Sequence, residues 1–152
     1  MPDLAGYMEM QTPLAEVAIR LLLAMLFGAM IGWEREVHDK PAGLRTHMLV
    51  SLGAASFMLL ASELTLEAFS RDQVRLDPTR VVEGVITGIG FLGAGTIIQA
   101  GGDVRGLTTA AAIWVVGSVG LACGGGYYLL AGMVVVGSIF VLVVCRLIER
   151  LR

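Results

Sequence analysis

Residues 81–99 read VVEGVITGIGFLGAGTIIQ, and Gly88, Gly90 and Gly93 within them match the G-x-G-x-x-G spacing of dinucleotide-binding loops. That fingerprint requires a strand before it, a helix after it and an acidic residue about 20 residues further on. Here the glycines lie inside an apolar segment, and the next acidic residue, Asp103, comes too early. The stretch therefore predicts a glycine-rich membrane helix rather than a nucleotide site.

The glycines of this segment suit close helix packing in lipid, where small residues let two helix backbones approach. Gly84 and Gly88 are four residues apart, and Gly28 and Gly32 repeat this spacing in the first apolar segment. We interpret these four as packing positions and make the third span the packing centre of the bundle. Because glycines also weaken a helix, a functional break in the span is the alternative. The same interpretation covers the remaining glycines of the stretch, Gly90, Gly93 and Gly95.

The composition of the chain is that of a membrane protein. Of its 152 residues, 56% are hydrophobic and only 16% are charged, whereas soluble domains carry about 25% charged residues. We predict one all-α transmembrane domain of about five spans, since a bilayer core requires about 20 mostly apolar residues per helix. No basic run indicates nucleic-acid binding, and no residue pattern indicates catalysis or a bound cofactor. The predicted spans are residues 14–33, 44–62, 81–99, 107–122 and 127–145.

A faint internal repeat relates the first two hairpins of these spans. A shift of 63 positions places residues 43–46, GLRT, on residues 106–109, GLTT, and Gly32 on Gly95. The first and third spans run in the same direction, so such a repeat would be parallel. The alternative is chance, because glycine-rich helices share residues easily.

The basic residues in the short loops predict the orientation, because lysine and arginine concentrate on the cytoplasmic side. Seven fall on one side of a five-span arrangement and three on the other, so we expect an external N-terminus and a cytoplasmic C-terminus. Cys123 and Cys145 then lie near opposite membrane faces, and we expect no disulfide between them. The seven are Arg35, Lys40, Arg45, Arg105, Arg146, Arg150 and Arg152, and the three are Arg71, Arg75 and Arg80.

Two charged residues fall inside predicted spans near the outer side. Arg20 lies a little over one turn into the first span, and Glu83 lies near the start of the third. A charge at membrane depth costs about 2.5–3.5 kcal/mol on insertion scales, so each requires a partner or a function. We predict an outer pair of Arg20 and Glu83, which forms either a structural ion pair or a gate linked to proton movement.

A larger polar cluster falls at the inner ends of the first, second and fourth spans. Two helices begin there, and each helix start presents unpaired N–H groups and a positive dipole end. Glu34, which ends the first span, should therefore lie within salt-bridge reach of Arg45 or Arg105. The predicted cluster comprises Glu34, Arg35, Arg45, Thr46, His47, Asp103, Arg105, Thr108 and Thr109.

Three interpretations of this inner cluster remain open from the sequence. The first is mutual capping and pairing between its acids and arginines. The second is binding of a phosphate-bearing ligand or lipid headgroup at the helix starts. The third is a magnesium or proton pathway that uses Glu34, Glu36 and Asp103, because carboxylate oxygens suit magnesium. His47 either caps a helix at the interface or senses acid.

Three long blocks of the sequence closely resemble the MgtC/SapB family of bacterial inner-membrane proteins. They are GWEREVHDKPAGLRTHMLVSLGA at residues 32–54, DPTRVVEGVITGIGFLGAGTII at residues 77–98, and VRGLTTAAAIWVVGSVGLACGGG at residues 104–126. The resemblance implies a helical bundle of four or five spans in the bacterial inner membrane. It also implies a role in growth at low magnesium, in a family with virulence-related members and one member linked to inhibition of ATP synthase.

The sequence departs from the family's virulence factor in two respects. The chain stops at Arg152, which predicts a short member without the C-terminal soluble domain. Asp103 stands where that factor has Asn, and Glu83-Gly84 stands near where it has Gln, so virulence-specific function is not expected to carry over.

We therefore expect a regulatory or homeostatic membrane module that acts through contacts with lipids, with a second copy in a dimer, or with a membrane partner such as ATP synthase. The alternative is a transporter for magnesium or another small ion. A transporter requires a continuous polar path, and between the two polar layers the sequence offers little beyond Ser51, Thr87, Ser118 and glycine backbone.

Overall fold

The part of the protein that the structure describes contains five α-helices and one pair of short antiparallel β-strands. The computed structural model describes residues 10–70, 77, 79–100 and 103–151. The predicted all-α class with five helices is confirmed, and the hairpin is an addition that the sequence did not predict. The elements are α1 (Leu14–Glu36), α2 (Leu44–Ser70), α3 (Thr79–Ala94), β1 (Ile98–Ala100), β2 (Asp103–Arg105), α4 (Leu107–Gly124) and α5 (Tyr128–Arg150).

Within the described ranges, four helices have the length and apolar composition of membrane spans, and α3 is the exception. It has 16 residues, which corresponds to about 24 Å against a hydrocarbon core of about 30 Å. The predicted third span, 81–99, continues too far, because the helix ends at Ala94 and strand β1 follows. Thr96 closes the turn by donating to Gly93 O from both its N–H, at 2.9 Å, and its hydroxyl, at 2.7 Å. The four spanning segments are Leu14–Glu36, Leu44–Leu66, Leu107–Gly124 and Tyr128–Glu149.

Helix α4 is the packing centre of the bundle, and the prediction that assigned this role to the third span is wrong. It packs against α1, α2, α3 and α5. Its Val116, Val119 and Cys123 are fully buried beside Ala24 of α1 and Ala55 of α2. A helix that is apolar on all sides belongs in the interior, and α4 is surrounded in this way.

Glycines bring the backbones of α1, α2 and α4 into direct contact. A Cβ added to Gly28 of α1 would lie 2.7 Å from His47 O of α2, and one added to Gly32 would lie 2.8 Å from Leu44 Cα. A Cβ on Gly120 of α4 would overlap Ser51 O of α2, so none of these positions accepts a side chain without a shift of backbone.

The glycines of α3 behave differently. A Cβ added to Gly84, Gly88 or Gly90 would meet no atom of the described residues within 4 Å, so the prediction that these glycines bring α3 into close packing with the other helices is wrong for the part of the chain described. Gly93 does approach α4, with Ala110 O at 3.3 Å, whereas Gly95 faces carbonyls of its own helix. The glycine-rich face of α3 instead borders an apolar groove between α2 and α3.

The helix ends assemble at two opposite poles of the bundle. At the first, which we call the Arg20 end after Arg20 of α1, α1 and α3 begin while α2 and α4 finish. There the carboxylate of Glu63 in α2 accepts hydrogen bonds from the N–H groups of Gln11, at 2.6 Å, and Thr12, at 3.0 Å. At the second, the cleft end, α1 and α5 finish while α2 and α4 begin. Helices α2 and α4 begin at Leu44 and Leu107, which are 63 residues apart, the separation of the predicted internal repeat.

The remaining sequence predictions fall partly outside the described residues. Arg71, Arg75 and Arg152, which entered the orientation argument, lie outside them. Cys123 is buried in α4 and Cys145 is exposed on α5, and both are free, as predicted.

Candidate functional site

A polar cleft of about 1230 Å³ opens at the cleft end of the bundle. One wall is the end of α1 with the loop that follows it, a second is β2 with the first turn of α4, and the third is the last part of α5. Its polar lining consists of Arg35, His38, Asp39, Lys40, Arg105, Thr108, Thr109, Arg146 and Glu149. This polar cleft is lined by four of the nine residues of the predicted inner cluster, Arg35, Arg105, Thr108 and Thr109.

Arg35 lies at the inner wall of the polar cleft and is 3% exposed. Its Nη2 donates to Thr109 Oγ1 of α4 at 3.0 Å, and its Nε is buried without a hydrogen-bond acceptor. A buried cation loses its hydration and requires compensation from its surroundings. The side chain therefore joins α1 to the start of α4 and still has unused capacity to donate.

Glu34, beside it, is 8% exposed and pairs with Arg146 of α5. Arg146 Nη1 lies 2.6 Å from His38 Nε2, and His38 Nδ1 lies 2.7 Å from Glu34 O. Because arginine can only donate, His38 accepts at Nε2 and donates from Nδ1 in its neutral form. The resulting network fastens the end of α5 to the end of α1.

The predicted partners of Glu34 are wrong. Arg45 is exposed at the start of α2, and Arg105 pairs with Asp103 at 3.1 Å on the exposed hairpin. Sequence reasoning missed Arg146 because it stands 112 residues from Glu34 and only the crossing of α1 and α5 brings the two together; it also missed His38, although His38 is only 4 residues from Glu34. The positive tail after the fifth span was the available signal for Arg146.

The three carboxylates proposed for magnesium are not brought together. Glu34 is held by Arg146 and Asp103 by Arg105, while Glu36 Oε2 accepts from Leu44 N at 2.9 Å and thereby caps α2. In the part of the chain that the structure describes, no group of three His, Cys, Asp or Glu side chains is placed to hold a metal ion.

The threonines and His47 also differ from expectation. Thr46 and Thr108 are exposed and cap neither helix, and Thr109 instead reaches Arg35. His47 is fully buried rather than interfacial, with Nδ1 2.9 Å from Gly43 O and Nε2 without a partner. Its side chain packs against the glycine face of α1, since a Cβ on Gly32 would lie 3.0 Å from His47 Cβ.

The predicted outer pair is not formed. Arg20 Nη1 donates to Gly124 O at the end of α4, at 2.7 Å, and its Nη2 pairs with Glu16 one turn earlier in α1. Glu83 is exposed on α3. Arg20 therefore satisfies a carbonyl at the carboxyl end of α4, which a cation suits.

The sequence profile of the MgtC family matches residues 21–151, a range that contains the entire polar cleft. The chain belongs to the MgtC family. No solved structure matches the chain.

Three relatives illustrate the similarity within the MgtC family. The chain is 42% identical to the "Putative magnesium transporter YhiD" of Escherichia coli K12 over 90% of its own length and 62% of that protein. It is 41% identical to "Protein MgtC" of Brucella abortus strain 2308, over 91% and 54% of the two lengths. It is 46% identical to "Protein MgtC" of Salmonella typhimurium LT2, over 72% and 44%. The chain thus spans about half the length of the curated relatives it matches.

Proposed function

We propose that this MgtC-family protein is a regulatory or homeostatic module of the bacterial inner membrane that supports growth under low magnesium or acid stress. It is not an enzyme, and it acts through contacts with other membrane components. Family membership alone does not specify this role. The close packing of α1, α2 and α4, which we call the closed centre of the bundle, favours it.

The close packing of α1, α2 and α4 is the observation that carries this proposal. At Gly28, Gly32 and Gly120 the space between helices cannot admit one methyl group without movement of backbone. Magnesium keeps several of its waters when it binds. The ion together with these waters is far larger than a methyl group. The contacts therefore favour a static bundle over an ion path between the Arg20 end and the polar cleft.

The alternative is a transporter for magnesium or another small ion, and two observations favour it. His47 Nε2 and Ser51 Oγ are buried on α2 without hydrogen-bond partners among the described residues. The Escherichia coli relative also carries the name of a magnesium transporter. Two polar atoms one turn apart would require further polar groups on both sides to form a path.

We propose that the polar cleft faces the cytoplasm, so that the N-terminus lies outside and the C-terminus inside. Positive residues concentrate on the cytoplasmic side of membrane proteins. The cleft end carries Arg35, Lys40, Arg45, Arg105 and Arg146 among the described residues, whereas the Arg20 end carries Arg20 and Arg80. A phosphatase reporter that is active only outside should stay inactive when fused after Arg152, and activity there would reverse the orientation.

The contacts of the module are proposed to involve the open face of α3, with a second copy in a dimer as the first partner. Gly84 and Gly88, one helical turn apart, present a small-residue face on which an added Cβ would meet no atom of the described residues within 4 Å, and helices in lipid associate through such faces. Membrane lipids cover the rest of the surface, and the family resemblance adds ATP synthase as a further membrane partner.

Deletion and complementation test this function. A strain that lacks the protein should grow poorly at low magnesium or low pH, and the full chain should restore growth without a change in the initial rate of magnesium uptake by the cells. Restored growth with an uptake rate that rises in proportion to the amount of protein would support the transporter instead.

A further inference from the structure

We propose that the polar cleft binds a phosphate-type oxyanion, held between the Arg35 guanidinium and the amino end of α4. The oxyanion belongs to either the headgroup of an anionic phospholipid or free phosphate, which share this chemistry. The site is independent of the proposed regulatory role and assigns a ligand to a cleft whose chemistry that role leaves unused.

The first observation is a buried cation without a carboxylate. Arg35 is 3% exposed, its Nε has no acceptor, and its one hydrogen-bond partner among the described residues is the neutral hydroxyl of Thr109. The neighbouring carboxylate, Glu34, pairs through Oε1 with Arg146, and its Oε2 is buried without a hydrogen bond from Arg35 or any other described residue. Burial of an unpaired charge is costly, and an oxyanion at this position would supply both the counter-charge and the missing acceptor.

The second observation is the open start of α4. Its N-cap residue is Gly106, with φ of 91°, and no side chain caps the helix. The first N–H groups of a helix have no partner within it and attract anions, helped by the helix dipole. Thr109 Oγ1 accepts from Arg35, so its own hydrogen is free to donate towards the same point.

Gly106 fixes this start in position. Its φ is one that L side chains rarely adopt, and a Cβ there would overlap Thr96 O in the turn before the hairpin. The close approach of the turn at residues 95–97 to Gly106 therefore determines where α4 begins, and with it where its N–H groups point.

The walls of the polar cleft add charge and an apolar surface. Four lining side chains are basic, and two, Asp39 and Glu149, are acidic. Arg105 and Arg146 are already paired with Asp103 and Glu34, so Arg35 and Lys40 remain to attract an anion; Asp39 and Glu149 offset their formal charge, and the attraction is therefore local to Arg35 and the helix start. Val141 and Leu142 of α5 line the same cleft and would accommodate the first part of an acyl chain.

Two binding measurements on the purified full chain, the first in detergent and the second in nanodiscs, separate the two sources of the oxyanion. Inorganic phosphate is titrated by calorimetry, and lipid is presented in nanodiscs of phosphatidylglycerol or phosphatidylcholine, followed by native mass spectrometry of the lipid retained. Arg35→Gln and Thr109→Val remove the two side chains of the site. Arg45→Gln removes an exposed arginine at the same end, outside the cleft, and is the matched control.

We expect Arg35→Gln to weaken binding at least tenfold, Thr109→Val to weaken it by a smaller factor, and Arg45→Gln to leave it within twofold. Retention of phosphatidylglycerol alone assigns the lipid, and a calorimetric response alone assigns free phosphate. If Arg35→Gln does not fold, Thr109→Val and Lys40→Gln decide. The proposal is overturned if the wild-type chain binds neither probe, or if the cleft variants bind as the Arg45 variant does.

Discussion

Two glycine pairs with the same spacing serve different surroundings in this protein. Gly28 and Gly32 of α1 lie against the backbone of α2. A Cβ added to each would lie 2.7 Å and 2.8 Å from the nearest backbone atom of α2. A Cβ added to Gly84 or Gly88 of α3 would meet no atom of the described residues within 4 Å. Identical four-residue spacing thus produces a closed crossing in one helix and an open face in the other, so the spacing identifies a surface capable of packing but not its partner.

The open face of α3 borders an apolar groove of about 540 Å³ between α2 and α3. Val50, Gly53 and Phe57 line its α2 side. Helix α3 is instead held by α4, where Ile89 fills the space beside Gly117. The bundle therefore has a closed centre of α1, α2 and α4 and a more loosely attached α3.

The largest effect is expected at the closed centre. Gly120→Leu should prevent stable folding, because even its Cβ would overlap Ser51 O of α2 and both backbones would have to move. The matched change Gly88→Leu should leave the melting temperature of the monomer close to that of the wild type. Thermal unfolding of both variants in detergent measures the difference, and equal losses would remove the distinction between the two regions.

A smaller but substantial effect is expected for the buried ion pair. Glu34→Gln should destabilise the protein by about 3 kcal/mol, because it strands Arg146 in a partly buried position, and removal of both partners should cost less than the two single changes together. A double-mutant cycle on unfolding free energy measures the coupling.

The exposed pair of Asp103 and Arg105 on the hairpin after α3 is the control for this cycle. Its coupling should stay below about 1 kcal/mol, because exposed pairs are screened by solvent. Coupling near zero for Glu34 and Arg146, or equal coupling in both pairs, would contradict the assignment of a buried network at the cleft end.

Arg20 provides an intermediate effect at the opposite end. Arg20→Gln should cost about 1–3 kcal/mol, because it removes a charged hydrogen bond to Gly124 O and leaves the carbonyl end of α4 less satisfied. Glu83→Gln on the exposed face of α3 should change stability by less than about 0.5 kcal/mol. A larger loss of stability for Glu83→Gln than for Arg20→Gln would support the pair of Arg20 and Glu83 that the sequence predicted.

The smallest effect is expected for an alanine on the open face. Gly88→Ala should stabilise α3 by up to about 1 kcal/mol, because alanine favours helix over glycine and the added Cβ meets no atom. The same change should reduce cross-linking between copies if α3 forms the dimer contact. Sedimentation should first show that the Gly88→Ala sample is free of dimer. If the monomer is then less stable than the wild type, α3 packs against its neighbours more closely than the structure shows.

The sequence predicted the helices because their apolar lengths are set by the bilayer and are visible residue by residue. The sequence also predicted that Arg35, Arg105, Thr108 and Thr109 lie in one region, because helix ends on the same side of the membrane meet there. The partner of Glu34 could not be predicted, because the pair with Arg146 depends on how α5 crosses α1. The end of α3 at Ala94 was missed because its apolar run continues into the hairpin and conceals the turn at Thr96.

Magnesium flux through proteoliposomes tests the central claim, that the closed centre of α1, α2 and α4 provides no ion path. The purified full chain is reconstituted, and entry of Mg²⁺ is followed with an internal fluorescent indicator, beside protein-free liposomes and liposomes with an ionophore. Uptake should equal that of protein-free liposomes, with and without a proton gradient. Saturable uptake that increases with the amount of protein would contradict it.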